Sequence, residues 1–103
     1  MGKILRFSKN WGGKLNRRFF TTIRQDKNYW QNFQGEYCEI ALNGFLIKET
    51  KIIFVVPLKI EEISESLALF DAKMSKKNLV AMLTKMYGEN PKLQLIGLEN
   101  EDR

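Results

Sequence analysis

The sequence predicts an α+β domain: a small, curved mixed sheet or β-barrel with two or three flanking helices. Three observations predict it. Short strand-favouring segments recur through the first half of the chain, an Asn-Gly pair joins two of them, and one well-formed amphipathic helix precedes a last apolar strand. With 103 residues the chain makes a single domain, 1–103, able to bury one modest core.

Lys3 to Phe7 reads as a short first strand. Ser8 is placed to cap a short turn or helix through Trp11, Lys14 and Leu15. Gly12-Gly13 weakens that helix, each glycine costing on the order of 1 kcal/mol against alanine. Phe19 to Arg24 (Phe-Phe-Thr-Thr-Ile-Arg) is a strand by propensity. Gln25 to Gln34 is polar, carries Tyr29, Trp30 and Phe33, and reads as a loop. Glu36 to Leu42 alternates, with Cys38, Ile40 and Leu42 on one face. Asn43-Gly44 then signals a hairpin, because a type I′ turn needs positive φ at both central residues. Phe45-Leu46-Ile47 returns. Lys51 to Leu58 reads as a separate third strand, apolar on both faces and so central or covered. Pro57 puts its end near a sheet edge or a bulge. Ser64 caps a short helix through Leu67 and Phe70. Ser75 caps a longer one, in which Leu79, Met82, Leu83 and Met86 recur at i, i+3, i+4 and i+7 and are expected in the core. Lys85, Gly88 and Pro91 mark its end. Leu93 to Leu98 is the last strand.

Composition excludes several functions. The chain has no histidine, and Cys38 is its one cysteine. This removes the usual general base, the commonest metal ligand and any intrachain disulfide. A Ser-His-Asp or Cys-His hydrolase is excluded, and neither a metal nor another cofactor is expected. Cys38 is expected to point inward as an inert small hydrophobe. The longest apolar run, Ile52 to Leu58, is strand-sized and contains a proline, and no secretory h-region opens the chain. The expectation is a cytoplasmic protein without a membrane partner.

Net charge is +5, and its placement is uneven. Residues 1–30 hold eight Lys and Arg against one acid, Asp26, whereas the other 73 residues hold nine bases and eleven acids. A local basic excess is what a phosphate-binding surface needs; a solvated positive face is the alternative.

At Thr21-Thr22-Ile23-Arg24 the sequence resembles the ASCH domain family, a branch of the PUA-like β-barrels. The order of features is also similar. A basic segment leads into the Thr-Thr-Ile-Arg strand, Gly35-Glu36 opens the meander, and Ile60 to Leu67 supplies acidic and leucine residues. Met86-Tyr87-Gly88 ends the helix, and Leu93 to Glu99 forms the closing strand. The resemblance implies a PUA-like barrel with a cleft beside the Thr-Thr-Ile-Arg strand, and binding of RNA or modified nucleosides. Some bacterial members resemble amidohydrolases of N4-acetylcytidine that use a Lys, a Thr and a Glu. Carried over, the threonine falls on Thr22, the lysine position on Phe19 and the glutamate position near Ala72. Arg18 and Asp71 sit one position away, but in a strand a one-residue offset turns a side chain to the other face.

The leading expectation is therefore an RNA- or nucleotide-binding domain. Its partner would be single-stranded nucleic acid or a nucleotide-like ligand, held at Lys14, Arg17, Arg18, Thr22, Arg24, Lys27 and Trp30. Guanidinium groups match phosphate oxygens in pairs, and a base stacks on an aromatic ring. Each has a structural alternative. Arg24 can instead pair with a carboxylate inside the fold, Thr22 can reflect strand propensity, and Trp11 can pack under its turn. Lys73, Lys76 and Lys77 at the start of the longer helix suit an anion or a solvated face. Asp71, Glu61, Glu62 and Glu65 read as ordinary helix-start and loop residues. Two other function classes stay open. A hydrolase would need a free carboxylate near Thr22, and a protein-interaction module would need an exposed apolar patch.

Overall fold

Strand propensity and alternation build one five-stranded mixed sheet in the computed structural model, which describes residues 3–100. The strands are β1 (Ile4–Phe7), β2 (Phe19–Gln25), β3 (Tyr37–Leu42), β4 (Phe45–Leu58) and β5 (Leu93–Glu99); the α-helices are α1 (Glu65–Ala72) and α2 (Lys76–Tyr87). Short 3-10 segments cover Trp11–Asn16, Trp30–Phe33 and Ile60–Glu62, the first of them kinked. The sheet order is β1-β3-β4-β5-β2, with β1 parallel to β3 and every other pair antiparallel. The sheet curls as a half-barrel that stays open, and β1 and β2 are its two edges.

Strand β4 makes the curl. The sequence reading splits it at the polar Lys48-Glu49-Thr50, but it is one strand of 14 residues. Those polar residues pair with β3 instead of breaking away: Thr50 lies opposite Cys38 and donates its hydroxyl to the Glu99 carbonyl at 2.8 Å. Residues Phe45 to Lys51 pair with β3, and Lys51 to Leu58 pair with β5. Register slips at Ile40/Ala41 and Ile52/Phe54 mark bulges, which bend a strand and raise its twist. The edge of β4 that β3 no longer reaches is closed locally. Gly35 N–H donates to the Ile52 carbonyl (2.7 Å), Ile52 N–H to the Glu36 carbonyl (2.8 Å) and Val55 N–H to Gln34 Oε1 (2.9 Å). Pro57, two residues past Val55, faces the same way, so its missing N–H costs the β4–β5 ladder nothing.

The turn chemistry holds. Asn43 and Gly44 have φ of 52° and 86°, the type I′ combination, and Leu42 pairs directly with Phe45. Ser64 and Ser75 cap α1 and α2 by accepting from Leu67 N–H and Asn78 N–H. Glu65 Oε1 also accepts Lys76 N–H at 2.9 Å, so α1 supplies the anion at the start of α2. Ser8 does not cap the first turn. Asn10 stands at the start of that turn without a side-chain cap bond; its Oδ1 reaches further, accepting Leu15 N–H at 2.9 Å.

Two apolar clusters sit on the two sides of the sheet. Inside the curl are Leu5, Phe7, Leu15, Phe20, Cys38, Ile40, Ile52, Val55, Ile96 and Leu98. Under the helices are Ile23, Leu58, Ile63, Ala68, Ala72, Leu79, Leu83 and Leu93. Trp30 and Phe33 pack edge-on with Tyr29 against the first cluster. Met82 and Tyr87 pack on the second, but Met86 does not join it and is 59% exposed. No helix among the described residues is long and apolar enough to cross a membrane.

Candidate functional site

The unclosed seam of the half-barrel holds a cavity of about 480 Å³, a size typical of small-ligand sites. One wall is β1, through Arg6 and Phe7; the opposite wall is β2, through Thr22, Ile23 and Arg24. Asp71 and Ala72 enter from α1, and Leu79, Met82, Leu83, Met86 and Tyr87 from α2. Trp11 and Lys14 come from the first 3-10 turn, and Asn43-Gly44 from the hairpin. The surface is thus apolar for most of its extent, with a few convergent cations and hydroxyls.

The turn carrying Lys14 is pinned at the next residue. Leu15 is fully buried; its N–H is held by Asn10, and its carbonyl accepts from both the Lys48 amine and Asn100 Nδ2. Asn100 Nδ2 also reaches the Arg17 carbonyl at 2.7 Å. Gly12 and Gly13, at φ of 60° and 71°, kink the turn and leave no continuous helix there. Lys14, only 3% exposed, therefore points its amine inward. That amine lies 3.7 Å from Asp71 Oδ2 and 5.5 Å from the centre of the Phe7 ring. The second Asp71 oxygen, Oδ1, accepts the Thr21 hydroxyl at 2.7 Å. On the next β2 residue, Thr22 Oγ1 accepts from Arg24 Nε at 3.1 Å, and the Arg24 guanidinium lies 4.6 Å from the centre of the same Phe7 ring.

The electrostatics follow from crowding. Burial pushes the Lys14 amine down to about 8, against the pull of Asp71; the neighbouring Arg24 and Arg17 push the same way as burial. Burial raises the Asp71 carboxyl, although Lys14, the Thr21 hydroxyl and Arg24 all oppose the rise. Burial also lowers Arg24, which stays charged. Burial outweighs attraction in both members of the pair. Buried Lys14 pairs with the buried Asp71 carboxylate and half-buried Arg24 adds a second cation, so the site carries a positive excess with apolar walls.

Of the residues expected from sequence, Lys14, Thr22 and Arg24 come together. The other four stand outside this cavity lining. Arg17 turns to α1, with Nη2 donating to the Phe70 carbonyl at 2.9 Å. Arg18 is exposed and lies 3.7 Å from Glu99. Lys27 is exposed in the loop, and Trp30 packs in its aromatic cluster. Arg24 makes no ion pair among the described residues, and Trp11 lines the cavity with the Lys9 amine 4.6 Å from its ring centre. The start of α2 is taken by Glu65 and Ser75.

Asp71 corrects the sequence reading most. It is no ordinary loop acid but 4% exposed at the centre of the site. Its signal was its place between Ala68 and Ala72 on the buried face of α1, where a carboxylate needs a partner. The hydrolase alternative asked for a free carboxylate at Thr22, but Asp71 bonds the neighbouring threonine, and Thr22 takes Arg24. Cys38 is buried as expected, with burial pushing its thiol up to about 12. No group of His, Cys, Asp and Glu among the described residues is arranged to hold a metal ion. No family model matches the chain, and neither a curated protein nor a solved structure matches it significantly.

Proposed function

We propose that this domain binds RNA by taking one nucleotide-like group into the cavity between β1 and β2. One observation carries the reading: Lys14, Arg24 and the Thr22 hydroxyl converge on an apolar cavity of about 480 Å³. The cations suit a phosphate, Thr22 suits a base or sugar edge, and Trp11 and Tyr87 offer rings for stacking. Phosphate contacts give affinity without sequence information, so no sequence preference follows. The resemblance to the ASCH family points the same way and would make the curled sheet PUA-like. The test is titration of adenosine and uridine monophosphates at several salt concentrations. Binding that weakens with salt, and falls about tenfold or more in Arg24→Ala, supports the reading. No binding by the wild type at low salt sinks it.

A second reading, a hydrolase of an acylated nucleoside or of RNA, finds no free carboxylate at Thr22 and would have to use Lys14 instead. An amine held at about 8 beside a carboxylate gives up and regains a proton near neutral pH, as a general base must. Incubation with N4-acetylcytidine checks it: acetate release that is lost in Lys14→Met supports this chemistry, and no release by the wild type removes it.

A further inference from the structure

The outer face of the sheet carries a second surface that the cavity does not use. Phe54 on β4, Phe19 on β2 and Phe70 on α1 form a row of rings, with centroids 6.2 Å apart across the first pair and 5.8 Å across the second. Phe19 and Phe70 are 37% and 38% exposed. The row is built, not incidental. The Phe54 ring lies over Gly97 of β5, where any Cβ would collide with it, so the sheet makes room for it. The helices cover the neighbouring outer-face residues, Ile23 among them, and α1 adds the Phe70 ring to this row.

A cation is seated at its end. The Arg17 guanidinium lies 4.8 Å from the centre of the Phe70 ring and is anchored through Nη2 to the Phe70 carbonyl. Arg18, ion-paired with Glu99, stands one residue on at the same end of β2. Phe70 is also the residue before Asp71, so consecutive positions of α1 serve the ring row and the cavity.

We propose that this ring row is a stacking surface for single-stranded RNA, holding the nucleotides next to the one in the cavity. The proposal rests on the cavity reading above. Exposed aromatic rings give base stacking that tolerates any sequence, and a fixed guanidinium beside them meets the phosphates between stacked bases. Charge decides against an ordinary apolar docking face. The cations at its end belong to the basic first thirty residues, and a polyanion is the complementary partner. It also explains why Arg17, expected to bind nucleic acid, stands outside the cavity.

The experiment compares uridine monophosphate with a fluorescent ten-residue oligouridylate, on the wild type and on Phe19→Ser/Phe70→Ser. The expected result is an oligomer that binds the wild type at least tenfold more tightly than the monomer, with that advantage lost in the variant and the monomer affinity kept. Photo-crosslinking of a 5-iodouridine oligomer to the wild type, mapped by mass spectrometry, needs no variant to fold; it is expected at Phe19, Phe54 or Phe70. Three results overturn the proposal. An oligomer no tighter than the monomer leaves the cavity reading standing and gives this face to a protein partner. Crosslinks confined to other surfaces, or an oligomer advantage that survives in the folded variant, give the strand another path. Failure of both ligands to bind removes the cavity reading together with this one.

Discussion

Lys14 Nζ stands 3.7 Å from Asp71 Oδ2, and only 3% and 5% of the two side chains reach solvent. Through Thr21 the pair ties three elements together: the first 3-10 turn, α1 and the edge strand β2. Removing one partner leaves the other charge buried without compensation, which costs about 3–5 kcal/mol. Lys14→Met and Asp71→Asn should each destabilise on that scale in urea unfolding. Lys14→Met/Asp71→Leu should cost less than the two single changes added together. A strictly additive double variant would mean that the two groups do not act as a unit.

The pair also fixes how stability depends on pH. Lys14 is held at about 8 when folded against an ordinary 10.5, so the folded protein binds fewer protons than the unfolded chain between those values. Its contribution to stability therefore rises with pH across that window. Asp71 is shifted up from 3.8, so the folded state binds more protons just above that value; its contribution is largest in acid and falls as pH rises through its folded pKa. Both signs are the reverse of an exposed salt bridge. Urea midpoints at pH 7.5 and 9.5 should show the wild type gaining on Lys14→Met with rising pH. A constant difference would show that Lys14 keeps its ordinary basicity.

Local chemistry made most of the fold legible. Asn43-Gly44, Ser64, Ser75 and Gly88 each acted through their own few residues, and each stands where the sequence reading put it. The length of β4 was not legible, because Lys48 to Thr50 look like a break until β3 lies beside them. The start of the first turn was not legible either: it falls at Asn10, whose side chain holds Leu15 across the Gly12-Gly13 kink and caps no helical N–H. The site divides the same way. Thr22 and Arg24 were readable as residues two apart on one strand face, whereas Asp71 meets Lys14 only through the curl of the sheet and the docking of α1. Arg17 and Lys14 look equivalent in sequence, and the kink at Gly12-Gly13 helps to send one inward and the other to Phe70.

Gly97 and Phe54 give a packing test. A methyl group at Gly97 must displace the Phe54 ring, and overpacking of this kind costs roughly 1–3 kcal/mol. Gly97→Ala should lower the urea midpoint accordingly. Gly97→Ala/Phe54→Ala should lose less than the sum of its parts, because the collision has gone. Additive losses would show that Phe54 does not lie on Gly97.

Cys38 should be unreactive in the native state. Its thiol is 2% exposed and pushed up to about 12 by burial, so both access and thiolate are lacking at neutral pH. A thiol reagent such as dithiobisnitrobenzoate should modify it only at the rate of unfolding and rapidly in denaturant. Fast native modification would place the β3 face open to solvent.

The pH dependence of binding isolates the role of Lys14. An anionic ligand gains from the Lys14 charge only while the amine is protonated, and in the empty site that proton is lost near pH 8. Adenosine monophosphate suits the test because its phosphate has finished titrating by pH 7 and its base does not ionise in this range. Wild-type affinity should be level from pH 7 to 7.5 and fall by about tenfold for each unit above 8, the limit for one required proton. Lys14→Arg replaces the titrating amine by a guanidinium that stays charged throughout. Its affinity should stay level to pH 9.5 even if weaker overall, since a guanidinium cannot reproduce the contact with Asp71 in the same space. The same fall in Lys14→Arg would move the effect to another group of the cavity. A level wild type would mean that the phosphate does not depend on Lys14 and that Arg24 and Arg6 hold it.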